Sequence, residues 1–327
     1  MEKQIWGQER VLSSLRGAIR QGHVSHAYLF LGSAGMGKKT IADYFAKTLQ
    51  CEAGGEEPCG HCKSCMAFSS GNHPDVIYVR PEKKTLGVED IRSQIGETVD
   101  LKQYRYRYKI YIVEDADLMT VQAQNSFLKT LEEPPAQVVF LLLAQRESVF
   151  LPTILSRVVR MKLQPLSDAE VARYLLENTA LAQQEAAIYA SYAQGSIGRA
   201  LELMEDTSFQ QMRQEVLEKL AALPAVSLAE ALQYAKEWEK YKNEPRFLDI
   251  IYLWYRDILA AKLLMEENSL IQKDQRNQIF QAAGRMCAAE AAKKASAVWE
   301  AKKSLVQNGN FRLTLEVMLM KLKGEQI

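Results

Sequence analysis

The sequence predicts an α/β phosphate-loop module that carries a zinc-binding insertion and is followed by helices alone. Three observations carry that reading. A glycine-rich turn, Gly32-Ser33-Ala34-Gly35-Met36-Gly37-Lys38-Lys39, lies between a short apolar run and a helical pattern. Cys51, Cys59, Cys62 and Cys65 cluster just beyond that helix. Beyond about residue 163 the apolar residues recur only at helical spacing.

The run Ala27–Leu31 is short and apolar and reads as a buried strand. Gly32, Gly35 and Gly37 let the backbone curl and turn its N–H groups toward an anion. Ile41, Tyr44, Phe45 and Leu49 then recur at spacings of three and four and line one helix face. A strand, a glycine turn and a helix N-terminus together make an anion site, with Lys38 reaching the outer phosphates. The alternative is an ordinary strand-to-helix turn that happens to be rich in glycine. Phosphate loops follow G-x-x-x-x-G-K-[ST], and the final hydroxyl holds Mg²⁺. Here that position is Lys39. A slip of register to Thr40 would rotate the hydroxyl by about 100° around the helix, away from the metal. Lys39 is therefore expected to spoil Mg²⁺ coordination, and hydrolysis with it.

The cysteines give C-x7-C-x2-C-x2-C, with Gly54, Gly55 and Gly60 supplying turns. Overlapping C-x2-C steps bring thiolates close enough to share one ion, and four sulfurs close a tetrahedral structural Zn²⁺ site. An iron–sulfur cluster is the smaller alternative. His61, inside a C-x2-C step, is expected to be a bystander. The module is read as a rigid knob over about residues 51–66, ending before a strand at Val76–Val79. Cys287 lies in a helical stretch and is expected to be a small buried apolar residue.

Lys109 to Val113 reads as a buried strand that ends in Glu114 and Asp115. ATPase strands of this kind end in Asp-Glu, one acid for the metal and one for the attacking water. Here the order is reversed, and a misplacement of roughly 1 Å in such a group can lower a rate about 100-fold. Lys39 and the swapped acids are read as independent faults of the same sense. Val138 to Leu143 is apolar throughout, as a central parallel strand is, and Gln145 just beyond it is either a phosphate-facing group or an exposed loop residue. Tyr104-Arg105-Tyr106-Arg107-Tyr108-Lys109 interleaves rings and cations; it is read first as a half-exposed strand start and second as a nucleic-acid stacking surface.

The chain has 327 residues, room for two or three domains, with 47% hydrophobic and 25% charged residues. Its net charge of +1 gives no overall basic field for autonomous nucleic-acid binding. No charged-then-apolar leader and no apolar run near 18 residues is evident, so a cytoplasmic location is expected. Ser167 with Asp168, Ala169 and Glu170 forms a helix start. Pro224 and Pro245 mark helix breaks. Phe247, Leu248, Ile250, Ile251, Leu253, Trp254, Ile258 and Leu259 are too apolar for a solitary surface helix and are expected in a bundle core.

Further motifs narrow the reading. Asn125-Ser126-Phe127-Leu128-Lys129-Thr130-Leu131-Glu132-Glu133-Pro134-Pro135 and Leu151-Pro152-Thr153-Ile154-Leu155-Ser156-Arg157-Val158 strongly resemble bacterial clamp loader subunits of the AAA+ class. Val158 replaces the Cys of that family's Ser-Arg-Cys motif. Trp6-Gly7-Gln8, His26-Ala27-Tyr28-Leu29-Phe30, Gly195-Ser196-Ile197-Gly198-Arg199-Ala200 and the helix at Asn310 to Glu316 are also similar, so the resemblance spans nearly the whole chain. Within the family, Gly-Lys-Lys, the altered acids, the intact Ser-Arg and His73-Pro74-Asp75 resemble the rigid stator-type subunit.

The resemblance implies an AAA+ core at 1–163, a helical lid at 164–206 and a helical oligomerisation collar at 207–327. It also implies a pentamer with tau/gamma and delta subunits of the DNA polymerase III holoenzyme, which opens a sliding clamp and places it on primed DNA. In it, Arg157 acts in trans on a neighbour's ATP, from a short helix starting at Pro152; from spacing alone the alternative is a surface arginine paired with a nearby acid. Gly32, Gly35, Gly37, Lys38, Lys39, Thr40, Glu114 and Asp115 form a pocket that holds ATP or ADP without turnover, in a subunit with neither polymerase nor significant ATPase activity of its own; Arg199 either senses that phosphate or only packs the lid. The rivals are a self-sufficient tau/gamma-type ATPase, a structural zinc adaptor with an empty phosphate loop, and a helicase-loading AAA+ protein.

Overall fold

The computed structural model describes residues 5–244, 246–264 and 270–325, so Pro245 lies outside the described residues. The chain divides into two compact units, Met1–Ser167 with Gly195–Arg199, and Asp168–Gln194 with Ala200–Ile327.

The first unit is α/β. Its elements run α1 (Glu9–Arg20), β1 (Ala27–Leu31), α2 (Lys38–Gln50), α3 (Lys63–Ser69), β2 (Val76–Val79), α4 (Val88–Ile91), α5 (Glu97–Val99), β3 (Lys109–Val113), α6 (Val121–Glu132), β4 (Val138–Ala144), α7 (Pro152–Leu155) and β5 (Val159–Lys162). A π-helical turn, Arg92–Gly96, joins α4 to α5. The strands form one parallel sheet in the order β2-β3-β4-β1-β5. Strands β1, β3 and β4 are buried along their whole length. That explains their unbroken apolar sequences: a parallel sheet is covered on both faces. Alternate residues of β4 feed opposite layers. Val138, Phe140 and Leu142 pack with Phe127 and Leu131 of α6, and Val139, Leu141 and Leu143 pack with Leu15 of α1 and Phe45 of α2. Because all strands run one way, the turns after β1, β3 and β4 leave the same sheet edge, where ligands of such sheets bind.

The second unit is helical: α8 (Asp168–Asn178), α9 (Gln183–Tyr192), α10 (Ile197–Glu205, whose first residues belong to the first unit), α11 (Thr207–Ala222), α12 (Leu228–Glu237), α13 (Phe247–Leu264), α14 (Arg276–Arg285), α15 (Ala288–Val306) and α16 (Phe311–Lys323). Its core centres on α13, where Phe247, Leu248, Ile250, Ile251, Trp254 and Ile258 are buried. Pro224 follows the end of α11, as expected of a residue that cannot continue a helix. Residues 164–206, expected as a lid, are shared between the units; Ile188, Tyr192 and Leu203 join the core built around α13. No described helix is long and apolar enough to cross a membrane.

Two expectations are corrected. The segment 104–108 is an exposed loop and the strand begins only at Lys109, because the backbone N–H groups of Tyr104, Arg105 and Tyr106 are taken by Asp75 instead of a neighbouring strand. Cys287 is exposed, not buried: it sits at the N-cap of α15, where its sulfur accepts from the Glu290 N–H at 3.4 Å.

Candidate nucleotide pocket, metal centre and arginine groove

Gly35 (φ +73°) and Gly37 (φ +85°) occupy the left-handed region that lets the turn after β1 close into α2. The Lys38 ammonium folds back onto the turn, donating to the Gly32 carbonyl at 2.7 Å and the Ser33 carbonyl at 2.9 Å. Burial lowers the Lys38 pKa, opposed by Asp117 and Asp115. The outer side of the turn packs on the segment Gly195–Arg199. Gly198 N–H donates to the Gly35 carbonyl at 3.0 Å, and the Ser196 hydroxyl donates to the Ala34 carbonyl at 3.0 Å. A side chain at Gly35 would meet the Arg199 backbone nitrogen at 2.7 Å. Arg199 therefore reaches the pocket rim through its backbone.

The two departures from an ATPase pattern are one feature, and this corrects their reading as independent. Lys39 Nζ lies 2.8 Å from Glu114 Oε1, and Arg80 donates to the same oxygen at 2.8 Å. Burial pushes the Glu114 carboxyl up, but Arg80 and Lys39 outweigh it and hold the group below its usual range. Both cations also sit over the Tyr78 ring, at 5.1 and 5.7 Å from its centre, and the Tyr78 hydroxyl donates to Asp43 at 2.9 Å. The side chain in the position of the metal-holding hydroxyl is thus a cation, clasped by the carboxylate after β3. Thr40 stands one residue further along α2. Asp115 is exposed, in a left-handed turn (φ 49°). Gln145 is exposed, and its backbone N–H donates to Asp117 at 3.3 Å. Sequence reasoning missed Arg80; its place directly after β2, beside β3 in the sheet, was the available signal.

The four cysteine sulfurs of residues 51, 59, 62 and 65 all lie within 4.8 Å of one another. A tetrahedral Zn²⁺ with Zn–S bonds near 2.3 Å requires sulfurs roughly 3.8 Å apart, so the set fits such an ion. Cys51 caps α2 and Cys62 caps α3, so two helix ends place the ligands. Backbone N–H groups of Cys59, Cys62 and Cys65 donate to the sulfurs of Cys51, Cys59 and Cys62 at 3.3–3.4 Å. Hydrogen bonds from the His61 and Cys62 backbone pull the Cys59 thiol down to about 6, and burial pushes Cys65 up to about 12. His61 is exposed, with Nδ1 2.8 Å from the Cys59 carbonyl, and stands outside the sulfur cluster.

Arg157 follows α7, whose first residue is Pro152. Gln124 of α6 donates to the Val149 carbonyl at 3.0 Å and accepts from the Leu151 N–H at 2.8 Å, which fixes α7 against α6. The Arg157 guanidinium donates to Glu132 at 2.8 Å, the Thr153 carbonyl at 2.9 Å and the Ser156 hydroxyl at 3.2 Å. It borders an open groove of about 670 Å³ that also touches Ser25, His26, Glu133 and Val159. Glu132 belongs to the Leu-Glu-Glu-Pro-Pro run, to which the sequence assigned no such role.

A five-stranded parallel sheet with a lysine-bearing glycine turn, a four-cysteine insertion and an arginine at an open edge define a phosphate-loop protein of the clamp loader type. Residues 7–167 match the family described as DNA polymerase III, delta subunit, and residues 207–324 match DNA polymerase III, delta subunit, C terminal. DNA polymerase III subunit delta' of Bacillus subtilis (strain 168) is 31% identical over 323 residues, 97% of this chain and 96% of that protein. The delta' subunit of Pseudomonas aeruginosa is 31% identical over 280 residues, 83% of this chain and 82% of that one. A solved gamma subunit-related protein of Thermotoga maritima covers 96% of this chain and 99% of its own at 18% identity and a TM-score of 0.41, too low to carry weight. The chain belongs to the family of DNA polymerase III delta' subunits.

Proposed function

We propose that this chain is the stator of a DNA polymerase III clamp loader: a cytoplasmic subunit that assembles with tau/gamma and delta subunits, helps place a sliding clamp on primed DNA, and does not itself hydrolyse ATP. The observation that carries the non-hydrolytic part is the Lys39–Glu114–Arg80 cluster. Hydrolysis relies on a divalent ion bridging the phosphates and held by a hydroxyl and a strand-end carboxylate. Here an ammonium replaces the hydroxyl and pairs with the carboxylate. Gly32, Gly35, Gly37, Lys38 and Thr40 still form a turn suited to polyphosphate, with Asp115 and Arg199 at its rim. A zinc adaptor with an unused loop is the second reading, favoured by the Lys38 bonds to the loop's own carbonyls. Equilibrium dialysis with labelled ATP separates the two. Zinc held by Cys51, Cys59, Cys62 and Cys65 would supply structure rather than chemistry, since four thiolates leave no open position.

The active contribution falls to Arg157, acting on a neighbour's ATP. An arginine supplied in trans is worth about 10³–10⁵ in rate. Its partner Glu132 is half-exposed, and exposed ion pairs contribute less than about 1 kcal/mol. Exchanging Glu132 for a partner's phosphate therefore costs little. In a reconstituted loader, Arg157→Ala leaves assembly intact and lowers turnover at the adjoining site by about 10³-fold or more. An unchanged steady-state ATPase of that complex would defeat the assignment.

A further inference from the structure

We propose that loop 102–108 is a binding site for single-stranded nucleic acid, distinct from the nucleotide pocket and the arginine groove. The loop is exposed yet held rigidly. Asp75, only 2% exposed, accepts the backbone N–H groups of Tyr104, Arg105 and Tyr106 at 2.6, 2.9 and 2.9 Å. Gln50 accepts the Tyr108 N–H at 3.1 Å, and the Gln103 amide donates to the Ala136 carbonyl at 3.3 Å. The His73 ring lies 4.5 Å from that of Tyr106. Both ends and the middle of the loop are therefore tied to the folded body before any ligand arrives, so little order remains to be lost on binding.

What the loop presents is a ring and three cations. Tyr104 is 83% exposed. Lys102, Arg105 and Arg107 are exposed, and none has a carboxylate within ion-pair distance among the described residues. The guanidinium of Arg105 lies over the Tyr106 ring at 5.7 Å and that of Arg107 over the Tyr108 ring at 5.2 Å. A cleft of about 340 Å³ beside them is lined by Cys51, Gly54 and Gly55 of the cysteine module and by Glu52. Nearby Glu56 and Glu57 are engaged by Arg20 and Arg16, so Glu52 is the acid that opposes an anion here. Alternating cations and rings match a strand whose phosphates and base faces are both accessible. A duplex hides its base faces, and an acidic peptide would leave Tyr104 without a purpose. The near-zero net charge means that the contact is local and sensitive to salt.

The test titrates the zinc-loaded 327-residue chain into a fluorescein-labelled oligothymidine of about 20 nucleotides, enough for one site, at low salt, read by anisotropy. Saturable binding is expected, and an equally long duplex or polyglutamate should compete far less well. Tyr104→Ala weakens binding about tenfold, the size of one lost base stack. Arg105→Ser with Arg107→Ser lowers the slope of log K against log salt by about 1.4, two phosphates' worth. Ultraviolet cross-links of the unaltered protein should map to 104–108. No binding, variants that bind like the original, cross-links elsewhere, or equal competition by polyglutamate would each overturn the proposal, the last by pointing to an acidic protein partner.

Discussion

Lys39 shows how one side chain changes what a phosphate loop can do. Its ammonium is bound to Glu114, and Arg80 holds the same oxygen. Replacing Lys39 with threonine restores the hydroxyl of an ATPase loop but leaves Glu114 engaged by Arg80 and one methylene longer than an aspartate. Lys39→Thr alone is therefore expected to leave hydrolysis near background. Adding Arg80→Ala and Glu114→Asp should raise the Mg²⁺ dependence of ATP binding, measured by titration calorimetry with and without chelator. Because the Lys39 pair is partly exposed, Lys39→Ala should change unfolding free energy by less than about 1 kcal/mol. A larger loss in a urea melt would mean that the cluster holds the fold together rather than tuning the pocket. Asp75 is the opposite case. It is buried, and three N–H groups depend on it. Asp75→Ala strands those donors and should destabilise the first unit by about 3 kcal/mol or more.

At the scale of elements, capping and charge networks decide how firmly each piece is held. The ends of α2 and α3 converge on the cysteine cluster, so an ion there would tie the two helices together. Chelation is expected to raise amide exchange across 51–69 while leaving β1 and β3 protected, because structural zinc contributes folding free energy locally. In the second unit Glu215 of α11 accepts from Lys240 at 2.6 Å, Tyr241 at 2.7 Å and Lys219 at 3.1 Å. Burial pushes its carboxyl up, but these three donors prevail and hold it at about 2. A depressed carboxyl stabilises the fold above its unfolded value near 4.3 and loses that contribution as pH falls toward about 2. Glu215→Gln should therefore lower stability by about 1–2 kcal/mol at neutral pH, with the gap closing as pH falls from about 4.3 toward about 2. The first four strands were legible in sequence because burial in the sheet leaves apolar runs, and α2 and α13 because of their apolar faces; β5 was not, since three of its four residues are exposed. The cysteine set was legible from spacing alone. The Arg80–Glu114 and Glu132–Arg157 pairs were not, since each joins residues far apart in sequence through the parallel order of the sheet or the packing of α6 on α7. Loop 104–108 was misread as a strand because alternation records side chains, while Asp75 decides where the backbone N–H groups go.

On the scale of the whole molecule, the chain builds separate apolar cores: two layers flanking the sheet in the first unit, and one centred on α13 in the second. Separate cores unfold as separate cooperative units when no shared apolar surface couples them, and then one midpoint does not describe the chain. Tryptophan reports on this cleanly. Trp238 and Trp254 are buried in the second unit and Trp299 lies on its α15, whereas Trp6 alone belongs to the first. Replacing Trp6 with phenylalanine leaves fluorescence as a probe of the helical unit, while far-ultraviolet circular dichroism follows both. Removing zinc, or introducing Cys65→Ser, should shift the dichroism midpoint in urea downward and leave the fluorescence midpoint in place. Equal shifts in both signals would show that the sheet and the bundle unfold as one, and that the metal centre stabilises the whole chain.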